Sequence, residues 1–161
     1  MRTSNNSDMS RAACLRALLV LLSGSVLVCR PAVGQQTTGG AVAVTISVFS
    51  GRKDPEFAIR DAAVLASVAG YLKTAAPYRG PVKAPIIKST LGYRGTLVET
   101  RDAAPGLPKG FSVYQGVIEV RGEQVVLLAD KNRGLERRLL DQALASKAID
   151  AKLHAQITTG W

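Results

Sequence analysis

Apolar and polar residues alternate with a period of two at the start of the folded part of the chain, and this alternation predicts β-strands. A first strand is expected over residues 41–49, with Ile46 and Val48 on one side, and residues 57–59 prolong the extended path after a turn. A second strand is expected over residues 91–99, where two glycines indicate a bulge or a close backbone approach.

The same alternation predicts a hairpin further along the chain. Residues 111–121 alternate as one strand, Gly122 and Glu123 supply a tight turn, and residues 124–129 return as the last strand. Residues 125–128 are apolar on both faces, which is typical of a strand covered on both sides. The pattern therefore places this last strand in the centre of a sheet.

Two stretches have helical periodicity instead. Residues 62–73 follow Asp61, a favourable N-cap, and their apolar positions recur on one face at Leu65, Val68, Ala69 and Leu72. A closing helix begins after Asp130 or Asn132, either of which is a suitable cap. Its apolar stripe starts at Leu135 and continues to Ile157, with a break expected near Ser146.

The order of these elements is β-α-β-β-β-α, which predicts an α+β fold with a small, mainly antiparallel sheet and two packed helices. Residues 74–90 contain three prolines and are expected to be irregular, with a short edge strand at Ile86 and Ile87. We expect a flexible tail over residues 35–43 and a single domain over residues 44–161.

Residues 1–34 resemble an export signal. They carry arginines, then an apolar run over residues 17–28, then the small residues Ala32 and Gly34, which predicts cleavage before Gln35. The run is shorter than the roughly 20 residues of a membrane-spanning helix. An uncleaved anchor is one alternative, and a lipoprotein modified at Cys29 is another, although bulky Val28 disfavours it. The expected location is therefore secreted or periplasmic.

Composition limits the chemistry. The two cysteines, Cys14 and Cys29, both lie in the leader, so the exported chain is expected to have no thiol and no disulfide. With a single histidine and no calcium-loop spacing, neither a metal site nor a cofactor is predicted.

Net charge bears on possible partners. The leader holds four of the 21 basic and one of the 12 acidic residues, which leaves +6 of the total +9. This excess is compatible with an anionic envelope or extracellular partner, or it merely keeps the protein soluble. No specific nucleic-acid binding and no transmembrane span in the exported chain are predicted, and the oligomeric state stays open.

Charged residues are densest at the turn after the first strand, and two interpretations of them stay open. Arg52, Lys53 and Arg94 are candidates for binding an anion such as a carboxylate, sulfate or phosphate. The alternative is a structural clasp, in which Arg52 or Arg94 pairs with Asp54 or Glu136 and pins the turn to the last helix.

Enzymatic function finds little support in these residues. A small hydrolase would need Ser50 as a nucleophile or the pair Glu99 and Glu119 on neighbouring strands, and the lone His154 is expected at the surface. We therefore expect a non-enzymatic binding or structural module, with a small hydrolase acting on an envelope or extracellular substrate as the alternative.

Three short motifs carry a resemblance. Ser50-Gly51-Arg52 with Pro55, Gly92-Tyr93-Arg94-Gly95, and Leu135-Glu136 with Leu139-Leu140 resemble a loose group of small exported bacterial proteins of unassigned function. The likeness covers most of residues 44–145 and departs from the group at Lys53 and Phe57, where that group tends to have proline and tryptophan. It implies a bacterial source, one domain and these fold boundaries, and it transfers no catalytic residue.

Overall fold

A computed structural model describes residues 40–48, 53–87, 92–102, 104–159 and 161. All of these residues belong to one compact unit. The expected leader, with both cysteines, and the candidate residues Ser50 and Arg52 lie outside the described residues.

The described chain forms a six-stranded antiparallel sheet with helices packed on it, which confirms the predicted α+β class. The strand order is β2-β1-β3-β4-β5-β6. The strands are β1 (Val42–Ser47), β2 (Glu56–Ile59), β3 (Gly95–Thr100), β4 (Gly110–Tyr114), β5 (Val117–Arg121) and β6 (Val126–Ala129).

The helices are α1 (Ala62–Thr74), α2 (Gly134–Ala145) and α3 (Ala151–Thr158). Asp61 caps α1 as predicted, since its carboxylate accepts the N–H groups of Ala63 and Val64 at 2.8 and 3.1 Å. The expected break near Ser146 is confirmed, because α2 ends there and Asp150 caps a separate α3.

The hydrophobic core lies between one face of the sheet and the three helices. The register places Val44 of β1 beside Val98 of β3, and Val98 beside the fully buried Phe111 of β4. The helices contribute Leu65, Val68, Leu135, Leu139, Leu140 and Ile157 to the same cluster. The period-two and period-3.6 stripes read from the sequence thus meet in one core.

Residues 111–121 form two strands instead of the single strand predicted. Between β4 and β5 the chain turns at Gln115 and Gly116, whose φ angles are 48° and 80°. Two consecutive positive φ angles are typical of the primed turns that join tight hairpins. The sheet therefore gains a strand, and residues 110–129 make a three-stranded meander.

The position predicted for the last strand is also wrong, because β6 lies at the edge of the sheet and not at its centre. One face of β6 looks toward the helix layer, and residues 76–78 pair with part of its outer edge, where Pro77 forms a bridge to Leu128. The N-terminal end of the run stays uncovered, with Val125 54% and Val126 47% exposed.

No strand forms at Ile86 and Ile87, where an edge strand was predicted. Prolines at positions 77, 81 and 85 remove backbone donors from this stretch, so it cannot sustain a ladder. The buried Ile86 instead donates its N–H to the Glu119 carboxylate at 2.8 Å, on the sheet face opposite the helices.

At the N-terminal side, β1 begins at Val42, two residues inside the expected tail. Val42 is buried and pairs with Ile59 of β2 and Thr100 of β3, so the sheet holds it in place. Residues 56–59 form the separate strand β2, at the other edge of the sheet.

Candidate functional site

Asp54 is the centre of the hydrogen bonding at the turn after β1. Its carboxylate accepts the Val48 N–H at 2.9 Å, the Ser47 hydroxyl at 3.1 Å and the Arg94 Nη2 at 3.0 Å. We call Ser47, Val48, Asp54 and Arg94 the bend cluster. The side chains of Arg94 and Asp54 are only 17% and 18% exposed, so the ion pair ties the turn firmly to the residue just before β3.

Lys53 does not join this cluster. Its Nζ lies 3.3 Å from a Glu56 oxygen, and the two side chains are 80% and 44% exposed. An ion pair so open to water contributes little to stability. Arg52 lies outside the described residues, and each of the two described candidate cations has a carboxylate partner: Arg94 pairs with the mostly buried Asp54 and Lys53 with the exposed Glu56.

Glu136, the other candidate for the clasp, is fully buried and contacts Tyr93. Its Oε1 accepts the Tyr93 hydroxyl at 2.8 Å and the Gln115 N–H at 3.3 Å, while Oε2 accepts no hydrogen bond from the described residues. Burial raises the pKa of the Glu136 carboxyl, although the Tyr93 hydroxyl, the Gln115 N–H and Arg133 act in the opposite direction. Burial also raises the pKa of Tyr93, and the Glu136 charge adds to that shift.

A second buried carboxylate joins the first helix to the second. Asp130 accepts the N–H groups of Leu135 and Glu136, both at 2.9 Å, so of the two predicted caps it is the one that serves the start of α2. It also accepts the Tyr71 hydroxyl of α1 at 2.6 Å. Burial, together with this hydrogen bond, raises the pKa of Tyr71 to about 12.

The residues considered for a hydrolase do not assemble in the described part of the chain. Glu119 lies on β5 and Glu99 on β3, and β4 separates the two strands, so these carboxylates do not face each other across neighbouring strands as predicted. The unrecognised turn at Gln115 is the reason. His154 Nε2 lies 2.9 Å from Asp141 on α2, and Ser50 lies outside the described residues.

An open apolar groove of about 520 Å³ lies at the other edge of the sheet, between α1, the loop before β4 and strands β5 and β6. We call it the edge groove. Lys73 is the one charged side chain among the described residues that line it, and the principal apolar ones are Leu72, Leu107, Val120, Val126 and Leu128.

The backbone edge of β6 beside this groove is only half occupied. The Ala129 N–H donates to Ala76 at 2.8 Å, and the Tyr78 N–H donates to Leu127 at 2.9 Å. Toward the N-terminus this pairing stops. No described residue donates to or accepts from the main chain of Val125.

No protein-family model, curated protein or solved structure matches the chain. Within the described ranges, no group of three or more side chains suited to hold a metal ion occurs. In the same ranges no helix combines the length and the apolar character that crossing a membrane requires. The functional argument therefore rests on the geometry of the site.

The sequence interpretation missed the edge groove, although it singled out the residues that form part of it. Val125 and Val126 were assigned to a central strand because both faces of the run are apolar. The adjacent turn at Gly122–Gln124 could have corrected this prediction. It makes β6 the last strand of a meander, and such a strand pairs with the strand before it and has no following strand on its other side.

Proposed function

We propose that the protein is a non-enzymatic binding module and that the edge groove is its ligand site. The observation that carries this proposal is the uncovered apolar surface at Val126 beside a groove with a single cation, Lys73. Binding sites for small and extended ligands are mostly apolar concavities with few polar groups. Contiguous apolar surface, unlike single exposed apolar residues, often marks an interaction site.

We assign the bend cluster a structural role. Arg94 already pairs with the carboxylate of Asp54, which supports the clasp more than an anion site. Arg94 and Asp54 are one of the pairs expected for the clasp, but their contact ties the turn to the residue before β3 and not to the last helix, and Glu136 holds Tyr93 instead. Both contacts anchor the residues just before β3, so together they stabilise the half of the sheet opposite the groove.

Export is part of the same proposal. It is supported by the basic leader, the apolar run over residues 17–28 and the small residues before Gln35. The mass of the protein recovered from the medium or periplasm of expressing cells tests it. A species beginning at Gln35 supports export, whereas an intact chain confined to the cytosol contradicts it.

The ligand site is tested by filling the groove. Gly70 lines it, and a Cβ added there meets nothing within 4 Å, so the backbone accepts a side chain at this position and Gly70→Leu is expected to reduce the open space of the groove. Gly70→Ala is the matched control, because it also removes a helical glycine but leaves most of the groove open. The probe is anilinonaphthalene sulfonate, an apolar anion whose fluorescence rises in apolar surroundings.

We expect the purified protein and Gly70→Ala to bind the dye, and Gly70→Leu to bind it at least about tenfold more weakly. Equal binding by all three proteins would overturn the assignment of the groove. Hydrolysis of an ester, phosphate or glycoside that is lost in His154→Ala would replace the binding module with the hydrolase.

A further inference from the structure

We infer that the ligand of the edge groove is a short extended peptide, which adds as a strand beside Val125 and places an apolar side chain in the groove and a carboxylate near Lys73. This inference rests on the proposed function and specifies the class of ligand. Its support comes from the backbone of β6, from the sides to which its side chains point, and from the charge of the groove.

The backbone observation follows from the alternation of an antiparallel ladder. The hydrogen bonds to Ala76 and Tyr78 show that Leu127 and Ala129 direct their main-chain groups away from β5. Val126 and Leu128 therefore direct theirs toward β5. Continuing the alternation directs the N–H and C=O of Val125 outward as well. Because no described residue pairs with them, they select a partner that has a donor and an acceptor at strand spacing, which a lipid chain does not have.

The side chains on the two faces of β6 specify what such a strand carries. Val126 points to the helix side and lines the groove, so the residue that lies beside it places its side chain in the groove. Val125 points to the opposite face, and the next peptide residue lies beside it there. An apolar residue at the groove position is expected, since Leu107, Val120 and Leu128 surround that space.

Charge favours an acidic peptide. Lys73 is the charged residue that lines the groove in the described chain, and the exported chain carries an excess of basic residues. Glu123 lies in the neighbouring turn and opposes a carboxylate there, so the acidic residue is expected at the Lys73 end of the groove.

A second copy of the chain fits this edge less well. Residues 76–78 occupy the outer side of β6 from Leu127 onward, so two copies paired through Val125 would bring this segment of each against the turn of the other. The free edge is therefore suited to a short strand that ends or bends away before Tyr78.

The experiment begins with selection of linear peptides of ~8 residues from a displayed library on the purified protein. A synthetic copy of the selected peptide is then measured by fluorescence anisotropy. Selected peptides are expected to carry a large apolar residue and an acidic residue. Gly70→Leu should abolish binding, and Lys73→Glu should weaken it at least about tenfold, whereas Lys73→Gln should weaken it less.

Two independent changes test strand addition itself. Val125→Pro removes the outward N–H and should weaken peptide binding at least about tenfold while dye binding stays as in the unchanged protein. Val125→Ala keeps the backbone and is the matched control. Methylation of single peptide N–H groups should weaken binding by the same factor at one position of the peptide. Because this change leaves the protein unaltered, the test also holds if the proline variant does not fold.

The possible outcomes separate this inference from the proposed function. If Gly70→Leu loses the dye but Val125→Pro and every methylated peptide bind normally, strand addition is wrong and the groove assignment stands. If no peptide is selected and the protein binds phosphatidylglycerol vesicles unless Gly70 is replaced by leucine, the ligand is a lipid and the inference fails. Concentration-dependent dimerisation that Val125→Pro abolishes would show a second copy on this edge instead.

Discussion

The two edges of the sheet have opposite surface chemistry. At the β2 edge the exposed side chains include Lys53, Glu56 and Arg60, and Lys53 pairs with Glu56 across one turn of chain. At the β6 edge the exposed residues Val125 and Val126 are apolar and lie next to an apolar groove, and the nearest exposed charge is in the preceding turn. Both strands contain only four residues, so length does not account for the difference.

Charged side chains on an edge strand discourage the addition of further strands, because pairing would bury those charges. The β2 edge is protected in this way, and its neighbour β1 is anchored by the bend cluster. Strand β6 itself contains no charged residue, and residues 76–78 protect half of its length. The contrast supports the proposed binding role of the unprotected half and the structural role that we assign to the β2 side.

The largest effect is expected from removing the carboxylate that anchors the β2 side. Asp54→Ala takes away the acceptor of Val48 and Ser47 and leaves the mostly buried Arg94 without this partner, which should lower the free energy of unfolding by about 3 kcal/mol. Urea unfolding measures this loss.

Lys53→Ala is the control for that variant, because its exposed ion pair should contribute less than about 1 kcal/mol. Equal losses in the two variants would show that the bend cluster does not anchor the turn, and the assignment of a stabilising role to this side of the sheet would be withdrawn.

An intermediate effect is expected from Glu136→Gln, and it should depend on pH. Because burial raises the folded-state pKa of Glu136 above the ordinary value of 4.5, the folded protein holds this proton more tightly than the unfolded chain does. The stability that protonated Glu136 contributes to the folded protein is fully present below about pH 4.5, and it is lost as the pH rises through the folded-state pKa of Glu136. Glutamine resembles the protonated acid, so the variant should gain stability relative to the unchanged protein as pH rises.

Urea unfolding between about pH 4 and about pH 8 measures this difference, which amounts to about 1.4 kcal/mol for each unit of pKa displacement. The groups that face the carboxyl are Tyr93, the Gln115 N–H, Arg133 and Asp130. Glu123→Gln, at an exposed side chain in the turn before β6, is the matched carboxylate-to-amide control and should change the stability little. A constant difference across the pH range would contradict the burial argument.

The smallest effect on stability is expected from giving β6 the character of β2. Val126→Lys changes a side chain that is 47% exposed, and it should alter the free energy of unfolding by less than about 1 kcal/mol. Dye binding in the groove should nevertheless fall at least about tenfold, because the ammonium group lies where apolar surface was. Val126→Thr is the matched control of similar shape. Unchanged dye binding in the lysine variant would remove the functional distinction between the two edges.

Much of the fold follows from sequence pattern because it depends on local signals. The α1 cap at Asp61, the break near Ser146 and the α+β class each follow from neighbouring residues. The missed hairpin also left a local signal: apolar core residues occupy odd positions at Phe111 and Val113 but even positions at Ile118 and Val120. One straight strand cannot direct both sets to the same face, so this change of parity marks the turn.

The position of β6 and the partners of the buried carboxylates could not be predicted in the same way. Whether an apolar strand lies at the centre or at the edge depends on distant residues, here the 76–78 segment and α1. Likewise, Glu136 meets Tyr93, 43 positions away, and Arg94 meets Asp54, 40 positions away, because of sheet register and not because of sequence spacing.

The pairing of residues 76–78 with β6 has a consequence for behaviour at high concentration. A sheet whose last strand is free along its whole length can accept another copy, which then offers its own edge to the next, and growth continues into fibrils. Here each molecule carries its own terminating strand over Leu127 and Ala129. We therefore expect the protein to reach high concentration with an exposed apolar edge and without forming fibrils through it.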